Sequence, residues 1–241
     1  MFAVIFAFML VTTYAAEIPS YINVCGRQNP NLNQCIIDNM NNLRNKICGG
    51  LTDLNFPPLE PLNIDKLVIS ETANNKIYLN NVQITGVCDY IINSASLDLD
   101  KITFNLDYSF NRLYLNGTCD IDIHILVPIA YKTPIYLTSD NVNAKIVIQA
   151  AKATKKGIEH IYVSELKTNI YIKGYDAHYG LNENELSQLG QILGGLIGSN
   201  QEEFIQRLAP VLEETISKWL ISICNDVFKM FSYEQLFPHR T

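Results

Sequence analysis

"FIQRLAPVLEETISKWLISICNDVFKMF" runs from Phe204 to Phe231. Its apolar residues include Phe204, Leu208, Val211, Leu212, Ile216, Trp219, Leu220, Ile223, Val227 and Phe231, spaced mostly by three and four. That is the period of one face of a helix. About 28 residues at 1.5 Å each predict a rod of roughly 42 Å. Ser199 and Glu202 are placed as a capping box at its start, and Pro210, one and a half turns further in, should bend the helix without ending it. A stripe so long and wide needs an equally long apolar surface to lie in.

The preceding half of the chain supplies such a surface. In "KITFNLDYSF" (101–110) Ile102, Phe104, Leu106, Tyr108 and Phe110 alternate with Thr103, Asn105, Asp107 and Ser109. "CDIDIHILV" (119–127) puts Cys119, Ile121, Ile123, Ile125 and Val127 on one side, and "NVNAKIVIQA" (141–150) keeps Val142, Ala144, Ile146 and Ile148 in phase. Alternation with period two predicts antiparallel strands with one apolar and one wet face, extending from about Leu62 to Ile172. Turns are expected at Asn116-Gly117 and at Lys155-Lys156-Gly157.

Upstream, Leu32, Ile36, Met40, Leu43 and Ile47 mark a shorter helix that Gly49 and Gly50 close. Pro57, Pro58 and Pro61 then force extended chain into the first strand. A short apolar helix is expected within 181–198, where Gly190, Gly194 and Gly198 give loose or close packing. Long helix and one-sided strands fit together in an α+β fold: a highly curved antiparallel sheet wrapped around the C-terminal helix.

Composition bounds the partners. Only 17% of the 241 residues are charged and the net charge is −6, which argues against nucleic acid or an anionic membrane surface. The N-terminal apolar run from Phe2 to Val11, followed by small residues, reads as a signal peptide over 1–16 and is too short to span a bilayer. Residues 17–241 should therefore form one secreted, extracellular domain, with no stable membrane insertion and a monomeric state. Cys25, Cys35, Cys48, Cys88, Cys119 and Cys224 suggest three disulfides in that compartment, and sequence alone leaves about 15 pairings open. Asn116 heads the one glycosylation sequon, Asn-Gly-Thr.

Asp120, Asp122 and His124 alternate within "CDIDIHILV" like candidate metal ligands. Burying two unpaired carboxylates would cost several kcal/mol, so the isoleucines face inward and this trio faces water. His160, His178 and His239 are scattered, and no G-x-S-x-G, H-E-x-x-H or Walker pattern recruits them. No enzyme activity, metal or cofactor is expected. Tyr108, in phase with the inward face, is the candidate to hold a ligand's polar head.

Across nearly the whole mature chain the sequence resembles the insect juvenile hormone-binding protein and takeout family. The resemblance rests on Cys25 and Cys35 near the mature start, the helix and "CGGL" that follow, and "FPPLEPLNIDKLVI". It continues through "LNNVQITGV", "LNGTCDIDIHILVPI" and the closing "VFKMFSYEQLFP". It implies a super-rolled sheet around the C-terminal helix, an elongated hydrophobic cavity, a Cys25–Cys35 disulfide, and carriage of a small hydrophobic ligand such as a juvenile hormone-like terpenoid, a fatty acid or a similar lipid. Cys224 should then tether the long helix to the wall.

Lining is expected from Ile102, Phe104, Leu106 and Tyr108 on one strand and Ile121, Ile123 and Ile125 on the next. Phe204, Leu208, Leu212, Trp219 and Ile223 would line it from the helix. A filled core would use the same residues, so the cavity itself is what the resemblance implies. The competing readings are a secreted interaction protein with a vestigial cavity, and a secreted hydrolase. The natural ligand and any receptor are left unspecified by the sequence.

Overall fold

The structure, a computed structural model, describes residues 17–124, 128–185, 187–188, 190 and 201–240. The expected signal peptide, Ile125, the Ser199 cap and most of the short apolar helix lie outside those residues. Helix α1 spans Leu32–Gly49 and ends where Gly50 takes φ 86°. Seven antiparallel strands follow: β1 Leu62–Glu71, β2 Asn75–Thr85, β3 Tyr90–Asp98, β4 Thr103–His124, β5 Pro128–Lys155, β6 Ile158–Tyr171 and β7 Asp176–Tyr179. The main path of the sheet is β1-β2-β4-β5-β6, with β3 paired to β4 and β7 to β5. Helix α2, Gln201–Phe228, contains Pro210 without a break, and a short α3, Tyr233–Leu236, follows.

Helix α2 packs chiefly along the edge strand β6 and also touches β1 at the other end of the sheet path. It acts as a stave across the gap that the rolled sheet leaves. Three of its polar side chains meet backbone amides of β6: Glu213 accepts from Ile170 at 2.7 Å, Ser217 from Thr168 at 3.1 Å and Asn225 from Val163 at 2.7 Å. Ser217 also donates to the Thr168 hydroxyl at 3.0 Å. An edge strand presents unpaired amides that must find partners, and these side chains provide them.

The expected turn at Asn116-Gly117 is not formed. Both residues lie inside β4, a strand of 22 residues, with Gly117 paired to Ile135 of β5. The reason is a bulge in β2 between Asn80 and Gln83, opposite Gly117, where Asn81 has φ 51°. The bulge drives Val82 inward to 1% exposure. A Cβ on Gly117 would stand 3.3 Å from both the Asn80 carbonyl oxygen and Val82 Cγ2. The glycine serves close strand approach rather than a reversal of the chain.

The long strands also change phase together. On β4 the inward residues are Tyr108 and Phe110, then Leu113 and Leu115; on β5 they are Ala144 and Val142, then Ser139 and Leu137. Between them Asn111 and Arg112, and opposite them Asp140 and Asn141, are exposed as adjacent pairs. Register is unbroken, with Phe110 opposite Val142 and Arg112 opposite Asp140. Asn141, at φ 55°, absorbs the bend in the left-handed region that asparagine tolerates. Arg112 and Asp140 are joined by two hydrogen bonds, at 2.5 and 3.0 Å.

The cysteines also differ from expectation. Cys25–Cys35 and Cys48–Cys88 are bonded, whereas Cys119 and Cys224 carry free thiols. So the helix is not tethered through Cys224; it is held by apolar packing and by its hydrogen bonds to β6. The two disulfides instead fix α1, one at its first turn and one at its last.

Candidate ligand cavity

Two solid clusters sit at opposite ends of the fold. One packs Leu67, Ile77, Leu79, Ile121, Ile123 and Ile135 with Phe204 of α2. The other packs Leu97, Ile102, Ala150 and Ile161 against Tyr233 and Phe237, with Phe104 and Phe228 beside them. Between them lies a cavity of about 350 Å³, within the roughly 300–1,000 Å³ of small-molecule sites. Along β4 it extends from Tyr108 to Leu115, and along α2 from Ile205 to Leu220. Strand rise gives about 24 Å for the first and helix rise about 22 Å for the second, so the cavity is elongated.

The walls follow from the sequence pattern. β4 and β5 supply the residues on either side of the phase change, and β6 adds Thr168 and Ile170. Helix α2 contributes Ile205, Leu208, Leu212, Ile216, Trp219 and Leu220, the spacing of one helix face. Met40 and Ile47 of α1 join Phe56 and Leu59 of the proline-rich segment across one side. That segment is pinned where Leu59 donates to the Cys48 carbonyl at 3.1 Å and the Glu60 carboxylate accepts from the amides of Gly86 and Cys88 at 2.8 and 3.2 Å. The Cys48–Cys88 disulfide ties the last turn of α1 to the same β2–β3 loop.

Among the described residues none of those lining the cavity carries a formal charge; their polar groups are hydroxyls of Ser139, Thr168, Tyr90, Tyr108 and Tyr175 and the Trp219 indole. Tyr90 donates to the Met40 carbonyl at 3.0 Å and meets Tyr108 edge-on, ring centroids 5.6 Å apart. Burial, with Tyr90 and Cys224 close by, pushes the Tyr108 phenol well above its ordinary range. It is therefore a neutral donor and acceptor at any physiological pH. Arg44 of α1 lies over the Tyr90 ring, 4.3 Å from its centroid, and is not among the lining residues.

Of the residues singled out in the sequence, Tyr108, Leu208, Leu212 and Trp219 line this cavity. Ile121, Ile123 and Phe204 belong to one solid end, and Ile102 and Phe104 to the other. Leu106 is half-buried and Ile223 is buried, neither on the cavity wall. Ile125 lies outside the described residues. Inward phase alone does not separate wall from plug, because the same apolar types build both. The walls from α1, the proline-rich segment and β6 were not anticipated; the apolar stripe through Met40 and Ile47 was the available signal.

On the outer face, Asp122 stands 3.3 Å from His124, both solvent-accessible, while Ile121 and Ile123 are fully buried behind them. Among the described residues no cluster of three His, Cys, Asp or Glu side chains could hold a metal ion. His160 Nδ1 is 2.8 Å from the Phe231 carbonyl oxygen, a structural contact near α3.

A rolled antiparallel sheet, a helical stave and an uncharged hollow between two packed ends define a shell for an apolar guest. The chain belongs to the haemolymph juvenile hormone binding protein family, whose sequence profile matches residues 2–238. Among solved structures it is similar to Takeout 1 of Epiphyas postvittana, with a TM-score of 0.68 and 15% identity over 89% of this chain and 99% of that one. At that identity the likeness concerns the fold. A lipopolysaccharide binding protein shares 12% identity at a TM-score of 0.35, over 78% of this chain and 38% of that one, which supports no inference. A search of curated protein sequences finds no match.

Proposed function

We propose that this protein is a secreted carrier that holds a small hydrophobic ligand in the cavity between its two packed ends. The observation that carries this reading is the hollow of about 350 Å³ walled by apolar side chains and hydroxyls, with no charge among the described lining residues. Membership of the family is consistent with it. Burying about ten CH₂ equivalents contributes roughly 8 kcal/mol, and the loss of rotational and translational freedom removes several. Micromolar or somewhat tighter affinity follows.

The wall chemistry favours a neutral guest with an ester, alcohol, epoxide or ketone oxygen, as a terpenoid of the juvenile hormone type has. Tyr108 and Ser139 can meet such an oxygen with hydroxyls. A free fatty acid enters in its protonated form or leaves its carboxylate outside, because an ionised group without a partner in an apolar cavity is strongly disfavoured. Native mass spectrometry of the protein purified from culture medium tests the reading. Co-purified lipid, released on unfolding, is the expected result; a protein that stays empty against a varied panel of terpenoids and lipids refutes it.

A further inference from the structure

The outer face of the sheet carries a row of side chains that the cavity does not use. Asn116 of β4 stands between Gln83 of β2 and Tyr136 of β5, and His178 of β7 is paired beyond Tyr136. All four are exposed. Tyr136 keeps 51% of its surface open to solvent, and Tyr114, two residues along β4 from Asn116, keeps 43%. The row crosses β2, β4 and β5, where no helix among the described residues covers the outer face.

Asn116-Gly117-Thr118 is the chain's one Asn-x-Ser/Thr sequence. Strand alternation sends Asn116 and Thr118 to the same side, opposite to the buried Leu115 and Cys119. The Asn116 amide makes no hydrogen bond among the described residues, so its nitrogen is free to be substituted without loss of a fold contact. Directly paired residues of neighbouring strands hold their Cβ atoms about 4.5–5.5 Å apart. A ring at Tyr136 therefore lies beside anything attached to Asn116. The C–H face of a pyranose suits it, because the face of an aromatic ring carries partial negative charge.

We infer that Asn116 carries an N-linked glycan whose first N-acetylglucosamine rests on Tyr136. The step needs an oligosaccharide donor linked to a lipid diphosphate, with the transferase of the secretory pathway. Asn116 Nδ2 attacks the anomeric carbon; the bond from that carbon to the diphosphate oxygen breaks, and the amide proton leaves with the lipid diphosphate. The extended chain meets the transferase before it folds, and the finished strand keeps the acceptor on the wet side. The glycan thereby covers the aromatic stretch of an otherwise bare sheet face. This rests on the secretion stated above.

The test is expression of the full chain in a eukaryotic secretory line. Protein from the medium should show a glycan mass that a peptide N-glycosidase removes, converting Asn116 to Asp. N116Q and T118A should both lose that mass, and T118S should keep it; T118A leaves the Asn116 amide in place. Wild type should melt about 2–4 °C above T118A, and the gap should close when both carry Tyr136→Ser. Secreted protein with Asn116 unmodified overturns the inference and leaves the carrier reading standing. Retention in the cell without a glycan removes secretion and the glycan together. A glycan whose melting gap is unchanged by Tyr136→Ser overturns its placement on the ring.

Discussion

Asn225 of α2 and Val163 of β6 exchange hydrogen bonds: the Val163 amide donates to Asn225 Oδ1 at 2.7 Å, and Asn225 Nδ2 donates to the Val163 carbonyl at 3.4 Å. One side chain thus imitates the backbone of a neighbouring strand at the edge of the sheet. Glu213 and Ser217 repeat the accepting half of that contact further along β6, from the amides of Ile170 and Thr168.

Removing Asn225 leaves a buried-side amide without its partner. N225A should lower stability by about 1–3 kcal/mol, read as a shift of the urea midpoint without a change of slope. A variant within about 0.5 kcal/mol of the wild type, the scatter among exposed sites, would show that water replaces the asparagine at no cost.

Ala144 points into the cavity from β5. Ala144→Phe should fill part of the hollow and weaken ligand binding by more than tenfold, while thermal stability is kept, since the ring occupies empty space rather than crowding a filled core. Trp219 lines the same cavity, so its fluorescence reads both the loss of ligand and the arrival of the ring. Binding unaffected by the phenylalanine would place the ligand elsewhere.

The uncharged wall sets a pH dependence for acidic ligands. A carboxylic acid has an ordinary pKa of about 4–5 in water, and transfer into the cavity disfavours its ionised form and raises that value. The acid therefore binds best below its free pKa, and its affinity falls by up to about tenfold per pH unit as pH rises through and beyond it. The matching alcohol or methyl ester should bind equally from pH 5 to about 8, with titration of Trp219 emission as the measurement. A carboxylate held as tightly as its ester at pH 8 would require a cation within reach of the cavity.

Burial raises the thiols of Cys119 and Cys224 to about 11 each, so at pH 7–8 both stay protonated and poorly nucleophilic. A thiol reagent should count close to none in the native protein and two after denaturation. Reduction of Cys48–Cys88 releases a closed loop of about 40 residues, worth about 4 kcal/mol in the chain-entropy treatment. The C48S/C88S double variant should therefore melt well below wild type, and also lose the clamp on the proline-rich wall of the cavity.

The parts that repeat were legible in the sequence. Period-two alternation located the strands, and the stripe from Phe204 to Val227 located the long helix. The stripe overran at its end, where the helix stops at Phe228 and Phe231 is buried in the turn beyond. Contacts that depend on two distant segments were not legible. Asn116-Gly117 reads as a turn until the bulge of β2 is set against it. Glu213, Ser217 and Asn225 look like a solvent-facing set on α2 until β6 is found beside them. Ile121 and Tyr108 have the same phase signature, yet one plugs an end and the other lines the hollow. That distinction lies in how far along the rolled sheet each residue stands, which alternation does not encode.

The joint bend at Asn111 and Asn141 makes chain length at this point a matter of parity. Past it, odd-numbered residues of β4 take over the inward role from even-numbered ones. Deleting one residue there would bring Leu113 into regular alternation with Phe110, but without a matching change on β5 it would slip the pairing by one, setting Leu113, Leu115 and everything beyond them opposite outward-facing residues. A site that resembles an ordinary surface irregularity therefore tolerates paired length changes or none.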